Sequence, residues 1–103
     1  MSRKEKIFTS STFEHNKTRY YINNPSPDRW PKFPYFPIKR WVKTDFGREM
    51  EVGLIFAAGK RSVVYLKNLF SIKPNMSIKQ FLQSERIEYE SVEDLLDDGW
   101  TGD

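Results

Sequence analysis

Residues Ile38–Phe70 read IKRWVKTDFGREMEVGLIFAAGKRSVVYLKNLF, and the periodicity of this stretch decides the fold. Ile38–Phe46, Met50–Ala58 and Arg61–Phe70 are runs rich in β-branched and aromatic residues, broken at Gly47 and at Gly59-Lys60. Such runs with short breaks predict strands joined by tight hairpins, and therefore an antiparallel meander. Side chains alternate across a strand with a period of two, so each run divides between two faces. One set is mostly apolar and is expected to face the core. It takes Ile38, Arg40, Val42, Thr44 and Phe46, then Met50, Val52, Leu54 and Phe56, then Val64, Leu66, Asn68 and Phe70. The complementary set holds Lys39, Trp41 and Lys43, then Glu51, Gly53, Ile55 and Ala57, then Arg61, Val63, Tyr65 and Lys67.

Upstream, Lys6–Phe13 (KIFTSSTF) and Arg19–Asn23 (RYYIN) flank the polar Glu14-His15-Asn16-Lys17 and predict a β-hairpin. Asn24–Pro37 then carries five of the six prolines. Proline fixes φ and lacks an N–H, so this segment reads as an extended connection and not as a helix or central strand. Downstream, Ser77-Ile78-Lys79-Gln80 has capping-box spacing and predicts a helix to about Ser84, with Ile78, Phe81 and Leu82 on one side. Arg86–Glu90 (RIEYE) alternates as a short strand. Ser91-Val92-Glu93-Asp94 is a second N-cap signal, and Gly99 suits a helix stop. The expected fold is an α+β domain with an antiparallel sheet of about five strands, formed by the meander and the N-terminal hairpin. Closure into a small barrel is an alternative, and one or two short C-terminal helices complete it. Residues 1–90 make up this domain, with 24–37 as its proline-aromatic connection, and residues 91–103 form an acidic helix or tail.

A chain of 103 residues has room for one hydrophobic core. Its hydrophobic fraction is only 38%, yet aromatics reach 16%, so rings must supply much of the burial. The absence of cysteine excludes disulfides, thiolate metal sites and thiol nucleophiles. With no apolar signal region and no long apolar run, a cytoplasmic protein without a membrane span is expected. The net charge of +3 conceals a division. Residues 1–74 hold 15 Lys and Arg against 6 Asp and Glu, a net of +9, whereas residues 75–103 hold 2 against 8, a net of −6. A basic body suggests a polyanionic partner.

Two functional readings follow. In the first, the complementary face of the meander binds single-stranded nucleic acid. Lys39, Lys43, Arg61 and Lys67, with Lys60 at a hairpin tip, neutralise phosphates, while Trp41 and Tyr65 offer stacking platforms. The acidic tail then modulates access or recruits a partner. The structural alternative makes Trp41, Ile55, Val63 and Tyr65 a second buried layer, with the cations snorkelling at its rim. In the second reading the chain is a protein–protein adaptor, inhibitor or small subunit. Its contacts are Trp30 and Tyr35 in the proline-aromatic segment, whose P-x-x-P spacings fall at Pro31/Pro34 and Pro34/Pro37, together with Leu95, Leu96 and Trp100 in the acidic segment. His15 is the sole histidine and lies in a polar stretch. No phosphate-binding glycine loop, zinc-protease motif or calcium-loop spacing is present, so neither an enzyme, a cofactor nor a metal site is expected.

Overall fold

Two ten-residue strands, β1 (Tyr35–Thr44) and β2 (Gly47–Phe56), pair antiparallel along their whole length in the computed structural model, which describes residues 12–72 and 75–102. Asp45 and Phe46 form the two-residue turn between them, and the Phe46 N–H donates to Thr44 Oγ1 at 3.2 Å. This turn sets the register: Trp41 faces Met50, and Lys43 faces Arg48. Even-numbered residues of β1 therefore share a face with odd-numbered residues of β2. The expected grouping of Ile38 and Arg40 with Leu54 and Phe56 is corrected accordingly. It required a three-residue loop between Phe46 and Met50, and a loop shorter by one residue moves every β2 side chain to the other face.

The remaining strands add on both sides. β3 (Val63–Tyr65) pairs with β2 through Leu54 opposite Tyr65, and β4 (Arg86–Glu88) pairs with β3. β5 (Thr101–Gly102) pairs with β1 at Ile38 and Lys39. All pairings are antiparallel, giving one open five-stranded sheet in the order β4-β3-β2-β1-β5. With α1 (Thr12–Asn23), α2 (Ile78–Leu82) and α3 (Val92–Asp97), the chain is a small α+β domain, as its sequence pattern indicates. The sheet's outer strands, however, come from the C-terminal third and not from an N-terminal hairpin.

That hairpin is replaced by α1, while residues 6–11 lie outside the described residues. Thr18 and Ile22, four apart, are buried on the helix's inner side, and the Tyr21 ring lies 6.0 Å from that of Phe36. Burial at helical spacing overrides the β preference of Arg19–Asn23. The third meander strand is also shorter than expected. It leaves the sheet after Tyr65, and Asn68 then caps a 3-10 turn at Leu69–Ser71 by accepting from the Ser71 N–H at 3.0 Å.

The local helix signals hold. Ser77 and Gln80 form a reciprocal capping box at the start of α2. Ser91 caps α3, accepting from the Asp94 N–H at 3.1 Å, and Gly99 follows that helix with φ +99°.

Both faces of the sheet are packed at its root. One carries Phe36, Ile38, Ile55 and Val64 beneath Ile22, Trp30, Leu95, Leu96 and Trp100. The other carries Leu54, Phe56, Val63 and Tyr65 beneath Phe81 of α2. Trp30 donates its indole N–H to the Tyr21 carbonyl at 2.7 Å and stacks on Phe36 at 5.2 Å, so the proline-aromatic segment serves as cover for the core. The acidic C-terminal segment is built into the same core through Leu95, Leu96 and Trp100. A buried polar chain ties it to β1. Arg40 donates to Glu51 at 2.7 Å and to the Asp98 carboxylate at 2.6 Å, and its guanidinium lies 4.6 Å from the Trp100 ring centre. Tyr89 donates to the same carboxylate at 2.5 Å and accepts from the Trp100 indole N–H at 3.0 Å.

Two consequences are measurable. A Cβ on Gly53 would stand 2.4 Å from Val64 Cγ1 and 3.4 Å from the Trp100 ring. Gly53→Ala should therefore lower stability by about 1–3 kcal/mol, read as a lower urea midpoint with an unchanged slope. Burial, and then the hydrogen bond to Asp98, push the Tyr89 hydroxyl up to about 12 from 10.0. The folded chain holds this proton more tightly than the unfolded chain does. The resulting stability is complete below pH 10 and is lost as pH rises toward about 12. Urea unfolding across that interval should decline more steeply for the wild type than for Tyr89→Phe.

Candidate nucleic-acid interface

The β1–β2 hairpin is longer than the sheet that supports it. β3 meets β2 only at Leu54, and β5 meets β1 only at Ile38 and Lys39. Among the described residues, 40–52 thus form a two-stranded ribbon without a third strand on either side. Its register separates charge by face. One face pairs Arg40 with Glu51, Val42 with Glu49, and Thr44 with Gly47. The other pairs Lys39 with Val52, Trp41 with Met50, and Lys43 with Arg48. Both glutamates of the hairpin fall on the first face. Three cations and no carboxylate fall on the second.

Among the described residues, α2 covers the cationic face at its root. There the Phe81 ring lies 4.6 Å from Tyr65, 5.0 Å from Tyr35 and 5.6 Å from Phe56. Farther out, Trp41 is 46% exposed beside the exposed Met50, and Phe46 at the turn is 97% exposed. The Arg48 guanidinium sits 5.5 Å from the Trp41 ring centre, a cation–π contact that favours one placement of both groups. Lys43 stands directly opposite Arg48. Like charges at directly opposed positions destabilise a strand pair, and an anion between them relieves the repulsion.

Of the residues expected to bind nucleic acid, the structure brings Lys39, Trp41 and Lys43 together on this face. Tyr65 shares the face but is only 7% exposed beneath Phe81, so its ring offers no stacking surface. Lys67 lies past the end of β3 and is half-buried. Lys60 and Arg61 occupy the turn after β2, at the end of that strand remote from Gly47 and roughly 30 Å from it at about 3.3 Å per residue. They line a separate cavity with Asn23, Ser91 and Val92. Ile55 and Gly53 face the opposite layer, where Trp100 packs.

The residues expected as partner contacts are placed differently. Trp30, Leu95, Leu96 and Trp100 are fully buried or nearly so, since the sheet needs their apolar volume on that side, and this corrects their assignment as surface anchors. Tyr35 is half-buried between Phe56 and Phe81. Sequence reasoning missed Arg48 and Met50 as members of the open face. Counting Asp45-Phe46 as the whole turn would have placed both there.

No group of three or more acidic, histidine or cysteine side chains among the described residues is arranged to hold a metal ion. No helix among them is long and apolar enough to cross a membrane. Comparison with protein families, with curated proteins and with solved structures finds no match for this chain.

Proposed function

We propose that this chain is a non-catalytic nucleic-acid-binding protein that holds single-stranded DNA or RNA along the cationic face of the β1–β2 ribbon. The observation that carries the reading is the composition of that face: Lys39, Lys43 and Arg48 surround the exposed Trp41, and neither strand contributes a carboxylate to it. Polyanion binding needs a surface of net positive charge, and the two strand glutamates of the hairpin, Glu49 and Glu51, lie on the reverse side of the ribbon. Stacking needs an accessible flat ring, which Trp41 supplies, and cations at its edge that reach the adjoining phosphates. Arg48 serves both purposes through its position over the indole. An autoinhibitory tail forms no part of this proposal, because Asp98 and Glu93 are engaged by Arg40 and Arg19 within the folded domain.

Tryptophan fluorescence provides a direct assay. Trp30 and Trp100 are fully buried, so quenching by an added single strand reports Trp41. Three phosphate contacts on a single strand predict a slope of about −2 in log affinity against log salt. Lys43→Gln should make that slope shallower by about 0.7 while weakening binding to all sequences alike. Trp41→Ala, followed by fluorescence anisotropy of a labelled oligonucleotide, should cost about 1–3 kcal/mol of binding. Absence of any quench at low salt, or binding that ignores salt, would refute the proposal.

A further inference from the structure

Exposed rings lie beyond Trp41 toward both ends of the ribbon. Toward the root, Phe70 projects from the 3-10 turn with 98% of its surface exposed. A cleft of about 250 Å³ lies beside it at the β2 edge, lined by Pro37, Ile38 and residues 52–54 of the ribbon and by Asn68 and Leu69 of the turn. Pro37, Val52 and Leu54 belong to the same face as Lys39 and Trp41. The turn that presents Phe70 is braced: Asn68 Oδ1 accepts from the Ser71 N–H at 3.0 Å and from its hydroxyl at 3.3 Å, and the Ile72 N–H donates to the Leu69 carbonyl at 3.1 Å. Toward the tip, Phe46 occupies the hairpin turn. From Pro37 to Asp45 the ribbon spans roughly 26 Å at about 3.3 Å per residue.

Along that length come the exposed Phe70 beside the root, then Lys39, Trp41 with Met50, and Lys43 with Arg48 on the cationic face, and then the exposed Phe46 at the turn. Rings stand at both ends and in the middle, and a cation stands between each ring and the next. A single strand alternates stacking bases with phosphates, so this order matches its chemistry along the whole strip. We infer that Phe70 and Phe46 are further stacking platforms, and that the site is one continuous single-strand track from the Phe70 cleft to the ribbon tip. The length available corresponds to the lower end of the range of about 4–16 nucleotides covered by small single-strand-binding domains. This inference rests on the proposed nucleic-acid reading of the ribbon and names the residues that complete its site.

The test uses the whole chain and an oligothymidylate of about twelve nucleotides, with Trp41 quenching as the signal. Phe70→Ala and Phe46→Ala should each weaken binding about tenfold, within the range for loss of one stacked base. The quench at saturation and the salt slope should stay at their wild-type values, because these rings contribute stacking and no charge. Urea midpoints of both variants should also match the wild type, since the side chains removed lie in solvent. If the Phe46→Ala/Phe70→Ala double variant binds within about twofold of the wild type with its quench and salt slope intact, the track is wrong while the ribbon site stands. If the wild type itself shows no quench at low salt, the underlying reading fails. Sedimentation velocity without oligonucleotide covers the remaining occupant: self-association abolished by the double substitution would make the strip a contact between copies and overturn the inference.

Discussion

Because side chains alternate across a strand, the number of residues in the turn between β1 and β2 decides which of them share a face. That number is two, Asp45 and Phe46. The consequence reaches the whole molecule. With this parity Ile55 and Gly53 lie beside Phe36 and Ile38, where α1, α3 and Trp100 close over them. Leu54 and Phe56 turn to the other side, where Phe81 covers them. The same parity sends Glu49 and Glu51 to one side of the ribbon and Lys39, Lys43 and Arg48 to the other. A turn one residue longer would place Glu51 beside Lys39 or Trp41 and would bury neither Ile55 nor Leu54 where each now sits.

The packed root depends on a close approach at Gly53. A Cβ at residue 53 would crowd Val64 Cγ1 at 2.4 Å and the Tyr65 carbonyl at 3.2 Å, and would touch the Trp100 ring. Thr101 and Gly102, which follow Trp100 directly, lie alongside β1, and the Gly102 N–H donates to Thr18 Oγ1 of α1 at 3.0 Å. Arg40 reinforces this packing from the same face, lying over the indole and bonding to both Glu51 and Asp98. A buried guanidinium is costly to desolvate, and its pairs offset that cost more than they add stability. Their contribution is directional: the charge has only one place in which all its partners are met, and that place fixes α3 against the sheet.

How far the sequence could be read followed the range of the interactions concerned. Capping at Ser77 and Ser91 is chemistry between residues three apart, so the α2 and α3 starts were legible from local spacing alone. The long strands were legible because β-branched and aromatic runs of this length have few other solutions. The α+β class and the sheet size followed. Parity was not legible, because Gly47 looks like a loop residue and is instead the first residue of β2. The helix at Thr12–Asn23 was hidden by Tyr20-Tyr21-Ile22, whose local preference is for strand and whose burial is decided by a sheet more distant in sequence. The same dependence on distant partners governs the site. Lys39, Trp41 and Lys43 lie on one strand and alternate openly, whereas Arg48 joins them only through the register, and Tyr65 leaves them because Phe81 covers it.

The separation of charge across the ribbon has one further physical consequence. Summed over both faces, the residues of the hairpin come close to electrical balance, which would make it a poor polyanion binder if all its charges acted together. They do not act together at physiological salt. The backbone of the strand pair separates the two sets of side chains, and the screening length at that salt is about 8 Å. The glutamates of one face therefore act more weakly on the other side than the cations that lie there, and Glu51 is further occupied by Arg40. Lys39, Lys43 and Arg48 thus set the sign of one side of the ribbon, and Glu49 and Glu51 that of the other. A thin two-stranded ribbon therefore has one cationic and one acidic face, with no third strand on either side among the described residues. That one-sidedness comes from register alone and is independent of the apolar packing at the root.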